Sequence, residues 1–357
     1  MFYIHHTTCI SPQQTYPEVR IGQLIPSVDN KLKAIEPSYD GVPANVLRRM
    51  SKSVKLAVGA ALPILKQINT PDGILIGTGN GGMEDSVRFL KQVIEYNEEA
   101  LAPGTFVQST PNAIASQIAL STHNKGYNIT HVHRGLAFEN TVIDVAMLLM
   151  EHPQNNYLLG GVDEISSYNF NLECLEGWYK KEDLSNKDLY ETDTPGSIAG
   201  EGAVLFHING IKANARARLG AVSTLHSHDE HAVRDQLNYF IRKYIPTGEE
   251  PDLLMTGENG DIRLLKFYTA CESAVAGDVA VARFKHMSGE YPTAQAFAVW
   301  LACQILDNQH LPSHMLKKST AAREFRNIII YNNHKGIQHS FTLVSKAGEP
   351  GSVSTGI

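Results

Sequence analysis

Two rhythms of apolar residues alternate along the chain. Short β-branched runs predict strands at Tyr3–Ser11, Gly73–Gly77, Asn128–Val132, Tyr157–Val162 and Ala203–Ile208. A second set falls at Leu219–Leu225, Leu253–Thr256, Val279–Phe284, Asn327–Tyr331 and Phe341–Val344. Between them, apolar residues spaced by three and four predict helices at Val46–Ile68, Glu84–Glu99, Asn112–Ser121, Leu136–His152, His228–Tyr244 and Thr293–Leu306. Such alternation predicts a layered α/β fold. The two sets follow a similar order, so two related halves, residues 1–170 and 171–357, are expected to form one compact unit. The stretch from Asn171 to Pro195 is richer in charge and reads as a surface excursion.

Composition narrows the function classes. With 43% apolar and 19% charged residues the chain is too apolar for disorder. A net charge of -6 argues against general nucleic-acid binding, because an acidic surface repels phosphates. The longest apolar runs, Val142–Met150 and Ala296–Cys303, are too short to span a bilayer. The first residues show no basic stretch leading into an apolar one, so no secretory signal is expected. Cys9, Cys174, Cys271 and Cys303 are far apart, without zinc spacing or disulfide density, which predicts a reducing cytoplasm.

Three motifs invite chemistry, and each has a plainer reading. Gly77-Thr-Gly79-Asn-Gly81-Gly82 has dinucleotide-fingerprint spacing, but no acidic residue ends a second strand about 20 residues on, so a nicotinamide oxidoreductase is the weakest reading. His226-Ser-His228-Asp229-Glu230-His231 approaches a metal cluster, yet Glu230 stands where a binuclear hydrolase needs Asp; a helix cap is expected, and no metal. Cys271, among small residues, lacks a visible helix N-terminus or imidazolium to lower its pKa and reads as buried structure.

A series of short segments, taken in order, resembles the β-ketoacyl synthases, the condensing enzymes of the thiolase fold. Arg48-Arg-Met-Ser51 resembles their entry helix, and Ile74–Gly82 their glycine-rich second strand and turn, which makes that glycine motif structural. Leu101-Ala-Pro-Gly-Thr-Phe106 with Thr110-Pro-Asn-Ala113, Leu159-Gly-Gly-Val-Asp-Glu164, Gly200-Glu-Gly-Ala203 and Lys285-His-Met-Ser-Gly-Glu290 are similar to further family segments. The resemblance covers most of the chain and implies a five-layer α/β/α/β/α sandwich of two related halves.

It also implies a missing reactive centre. Condensing enzymes hold an acyl chain on a Cys at a helix N-terminus and use two His for decarboxylation and oxyanion stabilisation. Laid on the family's motifs, Val132 falls at the Cys, Gly257 at the first His and Glu290 at the second, with Lys285 retained. The C-terminal glycine-rich gate also departs, its nearest match being His334-Lys-Gly-Ile-Gln338. The expected function is therefore that of a chain-length-factor-like subunit. It would need no cofactor, pair as a homo- or heterodimer with a catalytic ketosynthase subunit and work with acyl carrier protein. By the same likeness Asn128–Val132 would pair across the dimer, and Phe106, Thr110, Asn112, Ile114 and Phe138 would line the tunnel or interface. The rival is a stand-alone acyltransferase or thioester hydrolase that uses His131, His133, Glu290 or a cysteine such as Cys271, with Glu258 and Lys285 as further polar residues near the pseudo-active positions.

Overall fold

The computed structural model describes residues 1–99, 101–320 and 324–348. Ten strands carry the fold. The first five are β1 (Phe2–Ile10), β2 (Gly73–Thr78), β3 (Tyr127–Val132), β4 (Tyr157–Asp163) and β5 (Gly202–Asn209). The second five are β6 (Ala217–His226), β7 (Leu253–Thr256), β8 (Ala280–Arg283), β9 (Asn327–His334) and β10 (Gln338–Lys346). All lie within three residues of the sequence expectation.

The first five pair in the order β3-β2-β4-β5-β1, and the second five in the order β8-β7-β9-β10-β6. The wiring is thus the same twice: third, second, fourth, fifth, first. In each half the fifth strand runs antiparallel to its neighbours, and the third, second and fourth run parallel. The halves join where β1 meets β6, with Phe2 opposite Leu219.

The main helices are α1 (Lys52–Leu65), α2 (Met83–Glu95), α3 (Pro103–Gln108), α4 (Ala113–Thr122) and α5 (Ala137–Glu151). They continue with α6 (Ser167–Leu175), α7 (Glu230–Tyr244), α8 (Leu265–Glu272) and α9 (Ala294–Asn308). One expected helix, Val46–Ile68, divides into a single turn at Ala44–Leu47 and α1. Ser51 causes the break, because its side chain caps α1 by accepting the Val54 amide. The His226–His231 run is likewise a cap: the Asp229 carboxylate accepts the His231 amide at 2.9 Å as α7 begins.

Strand side chains alternate between two cores, and this builds the layers. Ile74 and Ile76 pack with α1 and α4, while Leu75 between them packs with α5 and α9. In the second half Leu254, Ile329 and Tyr331 face α7 and α8, whereas Leu253, Met255, Ile328 and Ile330 face α9. The result is the five-layer α/β/α/β/α sandwich of the thiolase fold, with α5 and α9 as its shared middle layer. Both faces of each sheet are covered, which is why the strands read as continuous apolar runs.

The charged stretch from Asn171 to Pro195 is only partly a surface excursion. Lys180 is buried, donating to Thr192, Thr194 and the Gly260 carbonyl, and Asn186 is sealed against the Ile25 and His286 carbonyls. Polar composition hides buried segments whose hydrogen bonds are all met.

Candidate functional site

The fold fixes where chemistry would sit, at the head of the middle layer, where β3 turns into α5 and β8 leads towards α9. β3 continues through Val132, which is 48% exposed. The bend falls two residues later, at Arg134, whose φ of +49° is left-handed, before a tight turn over Arg134–Leu136 delivers the chain to α5. The left-handed bend is thus at Arg134, and the central helix itself begins at Ala137 with Leu136 as its cap. No thiol is placed there. Cys9 and Cys303 are buried elsewhere, their thiols pushed up to about 12 by desolvation, and burial raises Cys271 well above its ordinary range within the outer core of the second half.

Glu290 holds the second position. It follows Gly289, which has a φ of +70° and sits so close to Gly200 that an added Cβ would lie 2.6 Å from the Gly200 Cα. The turn after Lys285–Ser288 thus needs its glycine for packing, whatever the chemistry. Lys285, fully buried, donates to Glu290 Oε1 at 2.8 Å, and the Asn259 amide donates to Oε2 at 2.8 Å. Both carboxylate oxygens are engaged by donors, so neither is left free to take a proton from a substrate. A Cβ on Gly257 would lie 2.2 Å from Asn332 Oδ1, so the family's imidazole would fit there only with the Asn332 side chain turned away.

The other predicted polar residues point elsewhere. Glu258 faces Arg283 and Lys317, and Lys317 also reaches Glu272, which makes a separate ionic network. His131 Nε2 lies 2.8 Å from Asp144 Oδ2, which also accepts the Tyr127 hydroxyl; the Asn140 amide donates to His133 Nδ1. Neither histidine reaches the cavity that Glu290 faces. Of the expected tunnel residues, Phe106, Thr110 and Asn112 are exposed, whereas Ile114 and Phe138 are buried in the chain's own cores. Helical spacing could not separate these cases, because both sides of α4 and α5 carry apolar residues.

That cavity is small, about 60 Å³, room for a few waters. Asp163, Glu164, Glu173 and Glu290 line it against the single lysine Lys335. His334 beside them stays neutral, burial pushing its pKa down to about 3. Desolvation raises Glu164 to about 7. Lys335 closes the mouth by bridging Glu173 at 2.7 Å and Glu176 at 3.3 Å beneath Trp178. The sequence reading missed this clasp and Asn259, although both lie in or beside segments matched to the family's gate and His loops.

The glycine motif is structural here. Asp163 accepts the Gly79 amide at 2.8 Å, together with Thr78 Oγ1 and the amide and hydroxyl of Thr293. The Gly79 amide, which would face a pyrophosphate, is already taken by Asp163, as expected of a structural turn. Among the described residues no group of three metal-ligating side chains converges, and no helix is long and apolar enough to cross a membrane.

Residues 26–171 match the family described as beta-ketoacyl synthase, N-terminal domain. No curated protein sequence matches the chain. Among solved structures, the ishigamide ketosynthase/chain length factor is similar at TM-score 0.75 and 17% identity, over 97% of this chain and 99% of that one. A ketosynthase in complex with its chain length factor from Xenorhabdus doucetiae is similar at 0.77 and 12%, over 97% and 98%. A type II polyketide synthase acyl-carrier protein in complex with its ketosynthase matches at 0.69 and 12%, over 97% and 99%. The first half thus carries a match to the N-terminal domain of the beta-ketoacyl synthases, and the whole chain shares the fold of ketosynthases and chain length factors.

Proposed function

We propose that the chain is a non-condensing, chain-length-factor-like subunit that pairs with an active ketosynthase and works with acyl carrier protein. The observation that carries this is the turn from β3 into α5, where Val132 falls at the family's cysteine and the run from Val132 to Ala137 holds no thiol. The surroundings agree. Glu290 is spent on Lys285 and Asn259, and Glu173 on Lys335, so neither is free for chemistry in the cavity. The role left is steric. Phe106, 57% exposed and leaning on Phe89 with ring centroids 5.4 Å apart, would stand in the shared wall and limit chain length by its bulk.

The test is condensation from acyl- and malonyl-carrier protein. Expected is no product from the chain alone and a product of defined length when an active ketosynthase is co-expressed. Phe106→Ala should lengthen that product and Phe106→Trp shorten it. Condensation by the purified chain alone overturns the reading.

A further inference from the structure

Two buried side chains at the head of the middle layer have hydrogen-bonding capacity left over. Glu139, in the first turn of α5, is wholly buried, and neither of its carboxylate oxygens meets a donor. Lys285 is equally buried, and among the described residues one of its three N–H donors is used, on Glu290 Oε1 at 2.8 Å. Burial raises the Glu139 pKa to about 7, while the Ser340 hydroxyl and the Lys285 charge pull it down. The other ionisable groups on the elements packed against α5 are occupied, neutral or remote. His131 on β3 pairs with Asp144, and Asp163 at the end of β4 holds Thr78, Gly79 and Thr293. Burial keeps the Cys303 thiol on α9 and the His334 ring on β9 uncharged. On β6, His226 is exposed, and Arg218 acts on the Met1 amine at the far end. One ammonium thus serves two carboxyls and is bonded to one of them.

We propose that Lys285 is a proton-operated switch: it stays on Glu290 while Glu139 carries its proton, and swings to Glu139 when that proton leaves, which frees Glu290 Oε1 towards the cavity. The step balances, because the carboxyl proton goes to solvent and one ion pair replaces another. Burial decides the direction. An anion as deep as Glu139 is costly without a counter-charge, whereas Glu290 has 15% of its side chain exposed, keeps the Asn259 amide and meets the cavity's water. The exchange still costs the fold some stability, since Glu290 gives up its ammonium. The frame around it stays put: the Glu290 amide donates to the Ile198 carbonyl, and its own carbonyl accepts the Gly200 amide. Only side chains move. Below neutral pH the cavity wall holds a paired Glu290, and above it a carboxylate able to accept a proton or hold a cation.

The experiment combines crystal structures of the full chain at about pH 5.5 and about pH 8.5 with a carbon-13 NMR titration of the glutamate carboxyls between those values. Glu139→Gln assigns the Glu139 signal and removes the trigger. Expected is a Glu139 midpoint near 7, with Lys285 Nζ about 3 Å from Glu290 Oε1 in the acid structure and from a Glu139 oxygen in the alkaline one. In Glu139→Gln, Lys285 should stay on Glu290 at both values. Lys285 on Glu290 in both wild-type structures, with Glu139 ionised by NMR, overturns the proposal. So does a Glu139 carboxyl that does not titrate in this range. A swing of Lys285 that persists in Glu139→Gln overturns it too, because the trigger then lies elsewhere.

Discussion

The two halves share one wiring and treat their outermost strands in opposite ways. The third strand of the second half, β8, is covered by a short antiparallel strand at Leu316–Lys318, whereas no strand among the described residues covers its counterpart β3. The central helices differ to match. In α9 every residue from Ala294 to Leu306 is buried, while α5 leaves Ile143, Met147 and Met150 in the open. An uncovered edge is a liability that folded proteins normally blunt, and this chain blunts one of two equivalent edges. The second half therefore serves as the interior of the molecule, and the first keeps one side for company.

The largest expected effect comes from breaking the buried side of that contrast. Trp300 on α9 is 1% exposed in the middle layer, against Phe297. Trp300→Ala should cost about 3–5 kcal/mol in urea unfolding, because a cavity opens between two sheets that cannot collapse onto it. A loss below about 1 kcal/mol would mean the layer is looser than its burial implies.

Next is a difference within the middle layer itself. Each central helix buries a polar side chain in its first turn. Gln295 on α9 donates to Thr342 at 3.0 Å, but Glu139 on α5 is fully buried with no partner for either oxygen. Desolvation raises Glu139 from its ordinary 4.5 to about 7. A carboxyl whose folded value lies above its unfolded one costs nothing below the unfolded value and destabilises progressively as pH rises through the window between them. Glu139→Gln makes the two helices alike and should add about 3 kcal/mol of stability at pH above 7, most of it gone near pH 5. Equal effects at both pH values would show that Glu139 finds a partner in solution. The acid limb has the opposite sign. His286 and His334 are held near about 3, and His207 and His339 near about 4, all by desolvation. The stability these neutral rings represent should be lost as pH falls from 6.5 towards those values, which an acid titration followed by circular dichroism reads directly.

The strands and the doubled order were legible because burial on both faces writes itself as apolar runs, and the helices because their spacing survives divergence. Position within a turn was not. Sequence spacing set the pseudo-active residue at Val132 and could not show that the left-handed bend comes two residues later, at Arg134. Lys285 and Glu290 were legible as a motif, but their ion pair was not, since it needs the turn at Gly289 to fold the chain back. Ile114 and Phe138 lie in the chain's own cores, which spacing did not show, for a different reason. In a five-layer fold a helix has apolar neighbours on more than one side, so an apolar position does not say which core, or which partner, it faces.

The smallest effects belong to the open side, and they test what it is for. Val132→Lys places a charge on the bare edge of β3 without touching either core. It should leave unfolding of the lone chain unchanged and weaken partner binding about tenfold, near 1.4 kcal/mol. Met147→Ala goes further in the same direction. With 56% of Met147 already in solvent, truncation should change the lone chain's stability by less than about 0.5 kcal/mol. The same truncation in the paired state removes a flexible side chain from an apolar contact and should lower affinity measurably by calorimetry. The split between the two readouts is what matters: a residue of the chain's own core loses stability in both states, and an interface residue loses it only with the partner present. If Met147→Ala destabilises the lone chain as strongly as a core truncation, the exposed face of α5 is packed within the chain, and the two halves are more alike than their edges suggest.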